Sequence, residues 1–186
     1  MIRKKTKLRN INLIPVFIFL LAAAFYLVLE QPLLSEKEVS HSFVPVVEVY
    51  DGDTIGVIIN AKREKVRLTG IDAPETGQPP WGAKAKQYLH TLVGETGRQV
   101  ILEYDVEQRD KHGRILAYLR TPDGTHINLL MVENGYAILY TVPPNVRYAN
   151  ELADAQTEAR GKKIGIWSDQ GLKERPGDYR KAHPRK

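Results

Sequence analysis

Cysteine is absent from the 186 residues, which excludes disulfides, thiol nucleophiles and cysteine-ligated zinc. A basic excess is also missing from the middle of the chain. The formal charge is +5, but residues 1–10 alone contribute Arg3, Lys4, Lys5, Lys7 and Arg9 without an acid, and residues 43–168 hold 15 basic against 16 acidic side chains. The overall charge is therefore no argument for a basic binding face. Attraction for phosphate would have to come from local arrangement or from a metal. A contiguous calcium loop is absent too, because D-x-[DN]-x-[DN]-G would need Asp or Asn at position 55, where Ile55 stands.

Long apolar runs are missing everywhere but at one place, Ile11 to Leu29, 19 residues whose strongly polar member is Asn12. About 20 apolar residues span a bilayer as a helix, and flanking Lys and Arg stay cytoplasmic. Residues 11–29 thus read as a single-pass anchor with residues 1–10 inside and the globular part extracytoplasmic. A cleaved signal peptide, using the small residues Ala22-Ala23-Ala24, is the competing reading and would give a secreted protein; the run continues through Leu29, beyond the roughly 7–15 residues of a signal core. Residues 30–42 mix charge, Ser and Pro without periodicity and read as a spacer. At the other end, residues 169–186 carry six basic and three acidic side chains with Pro and Gly, a composition expected to be disordered.

The domain between, residues 43–168, has an apolar content able to build a core. Val46 to Tyr50, Thr54 to Ile59, Glu64 to Ile71, Arg98 to Tyr104 and Arg114 to Arg120 are candidate strands, several alternating in period two. Helical patterns cover Ala83 to Val93, a short segment after Asn128 as N-cap, and Val146 to Arg160. Five short strands with helices suit a mainly β, α+β domain: a barrel of OB type or a sandwich, which pattern alone does not separate.

Within this domain, Val49 to Thr76 gathers an unusual density of charge on turn-punctuated strand. Asp51-Gly52-Asp53-Thr54 lies between two apolar runs and, taken alone, is a hairpin turn with Gly52 free to take positive φ. Val66-Arg67-Leu68 leads to Asp72-Ala73-Pro74-Glu75, where Pro74 keeps Ala73 extended. Asp53 and Asp72, delivered from separate strand ends, are candidate oxygen ligands for a hard divalent cation. Arg67 beside them is suited to gripping a phosphate, or to pairing with Glu75 on the surface.

DGDT, then V-R-L, then I-D-A-P-E, then Asp110-Lys111-His112-Gly113-Arg114, in that order and ending near Gly165-Ile166-Trp167, resemble the thermonuclease, or staphylococcal nuclease-like, family. The resemblance spans about Phe43 to Ser168. It implies a five-stranded OB-fold barrel with three helices and endonucleolytic hydrolysis of DNA and/or RNA leaving 3′-phosphates. It further implies one Ca²⁺ held by Asp53, Asp72 and the Ala73 carbonyl, with Glu75 as general base and Arg67 and Arg114 on the transition state. His112 and Tyr140 match positions that contact the nucleotide, although His112 stands where an aromatic side chain is common. The loop from Thr76 to Gly82 is shorter than its counterpart in the best-known members, so no substrate contact carries over there. Decay to a non-catalytic nucleic-acid-binding module, or to a membrane-tethered adaptor, are the alternatives. No protein partner is implied.

Overall fold

The computed structural model describes residues 42–184; the expected membrane segment at 11–29 and all but the last residue of the spacer lie outside the described residues. Strands β1 (Val44–Val49), β2 (Thr54–Ile59), β3 (Lys62–Leu68), β4 (Ile71–Asp72), β5 (Gln99–Glu103), β6 (Ile115–Arg120) and β7 (Ile138–Leu139) alternate with helices α1 (Trp81–Glu95), α2 (Ile127–Glu133), α3 (Ala149–Gly161) and α4 (Pro176–Ala182). The five longer strands close a barrel in the order β1-β2-β3-β6-β5, while β4 and β7 pair as a small separate sheet. This is the expected OB-like α+β architecture, with one helix more than expected.

The barrel closes because each strand carries the alternation that one buried face requires. Val66 and Leu68 point into the core, and Arg67 between them faces outward. The β2–β3 hairpin turns through Asn60 and Ala61, both in the left-handed region at φ 50° and 60°, which matches the twist of a two-residue connection. β3 then runs parallel to β6, with Arg67 opposite Leu116, and β5 returns to β1 through Val44 opposite Val100. Helices α1, α2 and α3 bury Leu89, Val93, Met131 and Leu152 against the same core.

Four details differ from the sequence reading. The third strand stops at Leu68, and Thr69-Gly70 separate it from β4, with Gly70 at φ 79°. Asn128 does not cap α2, which starts one residue earlier; its buried side chain accepts from the Leu119 N–H at 2.9 Å and donates to the Thr69 carbonyl at 2.8 Å, stitching α2 to β6 and to the turn after β3. Gly52 is not among the glycines with positive φ. Its missing side chain serves close approach instead, since a Cβ there would lie 2.7 Å from both the Ala73 and Ala85 methyls. Finally, the stretch expected to be disordered forms α4, with Pro176 in its first turn and buried.

Candidate active site

Three pieces of chain converge on the outer face of β3. The first is the turn after β1, closed by the Tyr50 N–H on the Thr54 carbonyl at 2.9 Å and by the Asp53 N–H on Asp51 Oδ1 at 3.0 Å. Asp53, 6 % exposed, accepts from the Thr54 hydroxyl through Oδ1 and from the Ala73 N–H through Oδ2 at 2.7 Å. The second is β4 and the residues after it, which supply Asp72, 1 % exposed, and Glu75. The third is Arg67 itself, whose Nη2 lies 3.0 Å from Asp72 Oδ1 and 3.2 Å from Asp53 Oδ2, with Nη1 donating to the Leu68 carbonyl at 2.9 Å. One guanidinium nitrogen therefore joins the two carboxylates proposed from the sequence as ligands.

A fourth element was not foreseen. Arg180 of α4 places a fork on Asp72, Nη1 to Oδ1 at 3.0 Å and Nη2 to Oδ2 at 2.9 Å, and Nη1 also reaches Glu75 Oε1 at 2.8 Å. Around these two arginines stand four carboxylates, Asp51, Asp53, Asp72 and Glu75, so negative charge is in excess. Burial pushes Asp51 up to about 6, with the charge of Asp53 adding to it. Burial likewise raises Asp72 above the usual carboxylate range, Asp53 reinforcing it, while Arg180 and Arg67 pull the other way. The Arg180 guanidinium is held still more firmly protonated, chiefly by its hydrogen bonds to Asp72.

Buried carboxylates in excess over their cationic partners, all presenting oxygen, are the donor chemistry that a hard divalent cation selects. No group of three or more Asp, Glu or His among the described residues could hold an ion alone. Asp53 and Asp72 would therefore have to be completed by backbone carbonyl and water. Ala73, the residue whose carbonyl the resemblance implies as a ligand, is tied to Asp53 through its own N–H.

The remaining expected residues are distributed less tightly. Arg114, one residue ahead of β6, shares the outward face of Arg67 by strand alternation, and its Nε and Nη2 both lie 2.7 Å from Asp110 Oδ2. It is thus anchored on Asp110 rather than on the carboxylates around Asp72. His112 is exposed at the tip of the same loop. Tyr140, half exposed, hangs its backbone on the Gly70 carbonyl at 2.9 Å. It lines a cleft of about 490 Å³ with Asp72, Arg175, Arg180 and Lys181. The signals for Arg180 were present in the sequence: Pro176 at a first helical turn, Asp178 two residues on and basic residues in the last turn are how a helix is written.

A small closed barrel with acid-bearing strand ends and guanidinium groups on its outer face defines an OB-like α+β protein with one polar cluster of carboxylates and guanidinium groups. The family model described as staphylococcal nuclease homologue matches residues 65–169. A thermonuclease of Staphylococcus intermedius is 39 % identical over 127 residues, covering 66 % of this chain and 74 % of that protein. A micrococcal nuclease of Shigella flexneri is 39 % identical over 150 residues, covering 74 % and 79 %. An endonuclease of Bacillus subtilis is 38 % identical over 128 residues, covering 65 % and 59 %. The chain belongs to the staphylococcal nuclease homologue family, and its Arg180 lies beyond the matched residues.

Proposed function

We propose that this chain is a divalent-cation-dependent endonuclease, with Ca²⁺ as the ion, that hydrolyses phosphodiester bonds of DNA and/or RNA. Its nuclease character is supported by family membership and by relatives named thermonuclease, micrococcal nuclease and endonuclease. The observation that carries the reading is the sharing of Arg67 by Asp53 and Asp72 at 3.2 and 3.0 Å, with Glu75 reached from the same Asp72 through Arg180. Ligand, base and electrophile candidates thereby meet at one place.

A phosphodiester anion repels hydroxide, so the site must take a proton from water close to phosphorus and neutralise charge on the phosphoryl oxygens. The bound cation would supply Lewis acidity at a phosphoryl oxygen. Glu75 accepts the proton of the attacking water. Arg67 presents a planar fork that keeps its charge through the reaction, its orientation fixed by the Leu68 carbonyl and the two aspartates. Arg114, oriented by Asp110, supplies the second guanidinium to the pentacoordinate oxygens. Water adds its oxygen to phosphorus as the P–O5′ bond breaks, the 5′-oxygen takes a proton from solvent while Glu75 returns to solvent the one it accepted, and a 3′-phosphate remains. Tyr140 and His112 are the residues that would contact the nucleotide.

The test is parallel measurement of single-stranded DNA cleavage and binding by the full chain with Ca²⁺. Cleavage that falls steeply in Glu75→Gln while binding persists is expected; a wild-type protein that binds without cutting would make this a binding module. The chain is further proposed to be tethered through residues 11–29 with the nuclease domain extracytoplasmic. Protease added to intact spheroplasts should then remove the domain, and full protection would refute the topology.

A further inference from the structure

We infer that helix α4 is an intramolecular latch that closes the site through Arg180 and is released by a divalent cation; the inference rests on the proposed cation-dependent reading of the site. The contact is more than a surface ion pair. Arg180 uses both oxygens of Asp72 and one of Glu75, and Asp72 Oδ1 already accepts from Arg67. A carboxylate offers about four lone-pair positions, and three of those on Asp72 are taken. Arg180 thus stands where a cation would need the same oxygens, and it also covers the Glu75 oxygen needed to accept a proton.

The helix is seated by a loop shaped to receive it. Gln78, 7 % exposed, accepts from the Glu75 N–H at 3.0 Å and donates to the Glu174 carbonyl at 2.9 Å, so one side chain ties the catalytic segment to the tail. Trp81 Nε1 donates to the Gln170 carbonyl at 3.2 Å. The Tyr179 hydroxyl occupies the space above Gly77 that a Cβ would fill. The short Thr76–Gly82 loop and the basic tail, which sequence alone left without a role, are two halves of one device.

Opening and cation binding are linked. If the cation binds only with the latch open, the apparent affinity falls by the open fraction, and the cation must loosen the latch by the factor with which the latch weakens the cation. A seven-residue helix released from its seat is too short to persist in water, so opening exposes its amides. A charge-assisted fork between a partly exposed arginine and a buried aspartate suggests a factor of about tenfold.

The test uses the full-length chain in detergent with Ca²⁺ alone. Calorimetry should show Arg180→Ala binding Ca²⁺ about tenfold more tightly than wild type, and Arg180→Lys, which keeps the charge but loses the fork, falling between. Tyr179→Ala, which unseats the helix without touching a carboxylate, should tighten binding as well. Hydrogen exchange of residues 171–184 should accelerate when Ca²⁺ is added to wild type and be fast without it in Arg180→Ala. Unchanged affinity in both alanine variants, or exchange in wild type indifferent to Ca²⁺, overturns the latch. Loss of cleavage in Arg180→Ala at unchanged Ca²⁺ affinity also overturns it, because Arg180 would then serve the substrate. A latch that responds as described in a protein that cuts neither DNA nor RNA would leave it standing and sink the nuclease reading.

Discussion

Two clusters in this molecule use the same side chains to opposite ends. On β5, Glu103 receives Arg120 Nε at 2.7 Å, Arg147 Nη1 at 2.8 Å and the Tyr148 hydroxyl at 2.6 Å. Around Asp72, two guanidinium groups face the three carboxylates of Asp53, Asp72 and Glu75, with Asp51 beside Asp53 as a fourth. Burial works to raise the Glu103 carboxyl, yet hydrogen bonds from Tyr148, Arg120 and Arg147 outweigh it and hold it at about 2. Around Asp72 the balance tips the other way, and burial leaves both Asp72 and Asp51 raised. One cluster is saturated with donors and welds β5, β6 and the start of α3 together. The other is short of positive charge, which is the electrostatic setting that the proposed cation-dependent function requires.

The comparison breaks most sharply at the two glutamates. Glu75→Gln should lower turnover by roughly 10²–10⁴-fold with little change in nucleic-acid binding, whereas Glu103→Gln should leave turnover unchanged; steady-state cleavage of single-stranded DNA separates them. Next in size is Asp72→Ala, or Asp53→Ala, which should weaken Ca²⁺ binding by about tenfold or more, with excess Ca²⁺ partly restoring the rate. A metal titration of activity that is unchanged in both variants would remove them as ligands. Glu103→Gln carries its effect in stability instead, about 1–3 kcal/mol in chemical denaturation, since it leaves Arg120 and Arg147 without their shared acceptor.

The smallest effect is in pH. A carboxylate drawn below its unfolded value of 4.5 contributes stability that is complete above that value and is lost as pH falls toward about 2. With solvent screening this amounts to ~1–2 kcal/mol. Denaturation of wild type and Glu103→Gln should therefore converge as the pH is lowered from 5 to 2; a constant gap would assign the cluster's contribution to packing instead.

The barrel was legible because its strands obey one rule locally: Val66, Arg67 and Leu68 alternate in, out, in, and closing the barrel asks no more of them than that. Asp53, Arg67, Asp72 and Glu75 were legible because they fall at turn and strand ends in a recurring order. What escaped was tertiary. Seven residues, Pro-Gly-Asp-Tyr-Arg-Lys-Ala, carry helix-end signals but too little apolar surface for those signals to outweigh the composition of a tail. They are ordered by Gly77, Gln78 and Trp81, a hundred residues away, so composition reads them as a tail. Gly52 carries a turn signal that is true, but its reason for being glycine lies in Ala73 and Ala85, which no local pattern reports. Asn128 was read as a cap because its side-chain partners, Leu119 on β6 and Thr69 in the turn after β3, are remote in sequence.

That crowded point at Gly52 acts as a gauge block. Three small residues from the turn, from the segment after Asp72 and from α1 meet there with no room for a further carbon. The approach of the turn that carries Asp53 to the segment that follows Asp72 is consequently limited by hard contact as well as by the charges between them. A single methyl added by Gly52→Ala would act as a shim, parting these two backbones at their root before disturbing anything else.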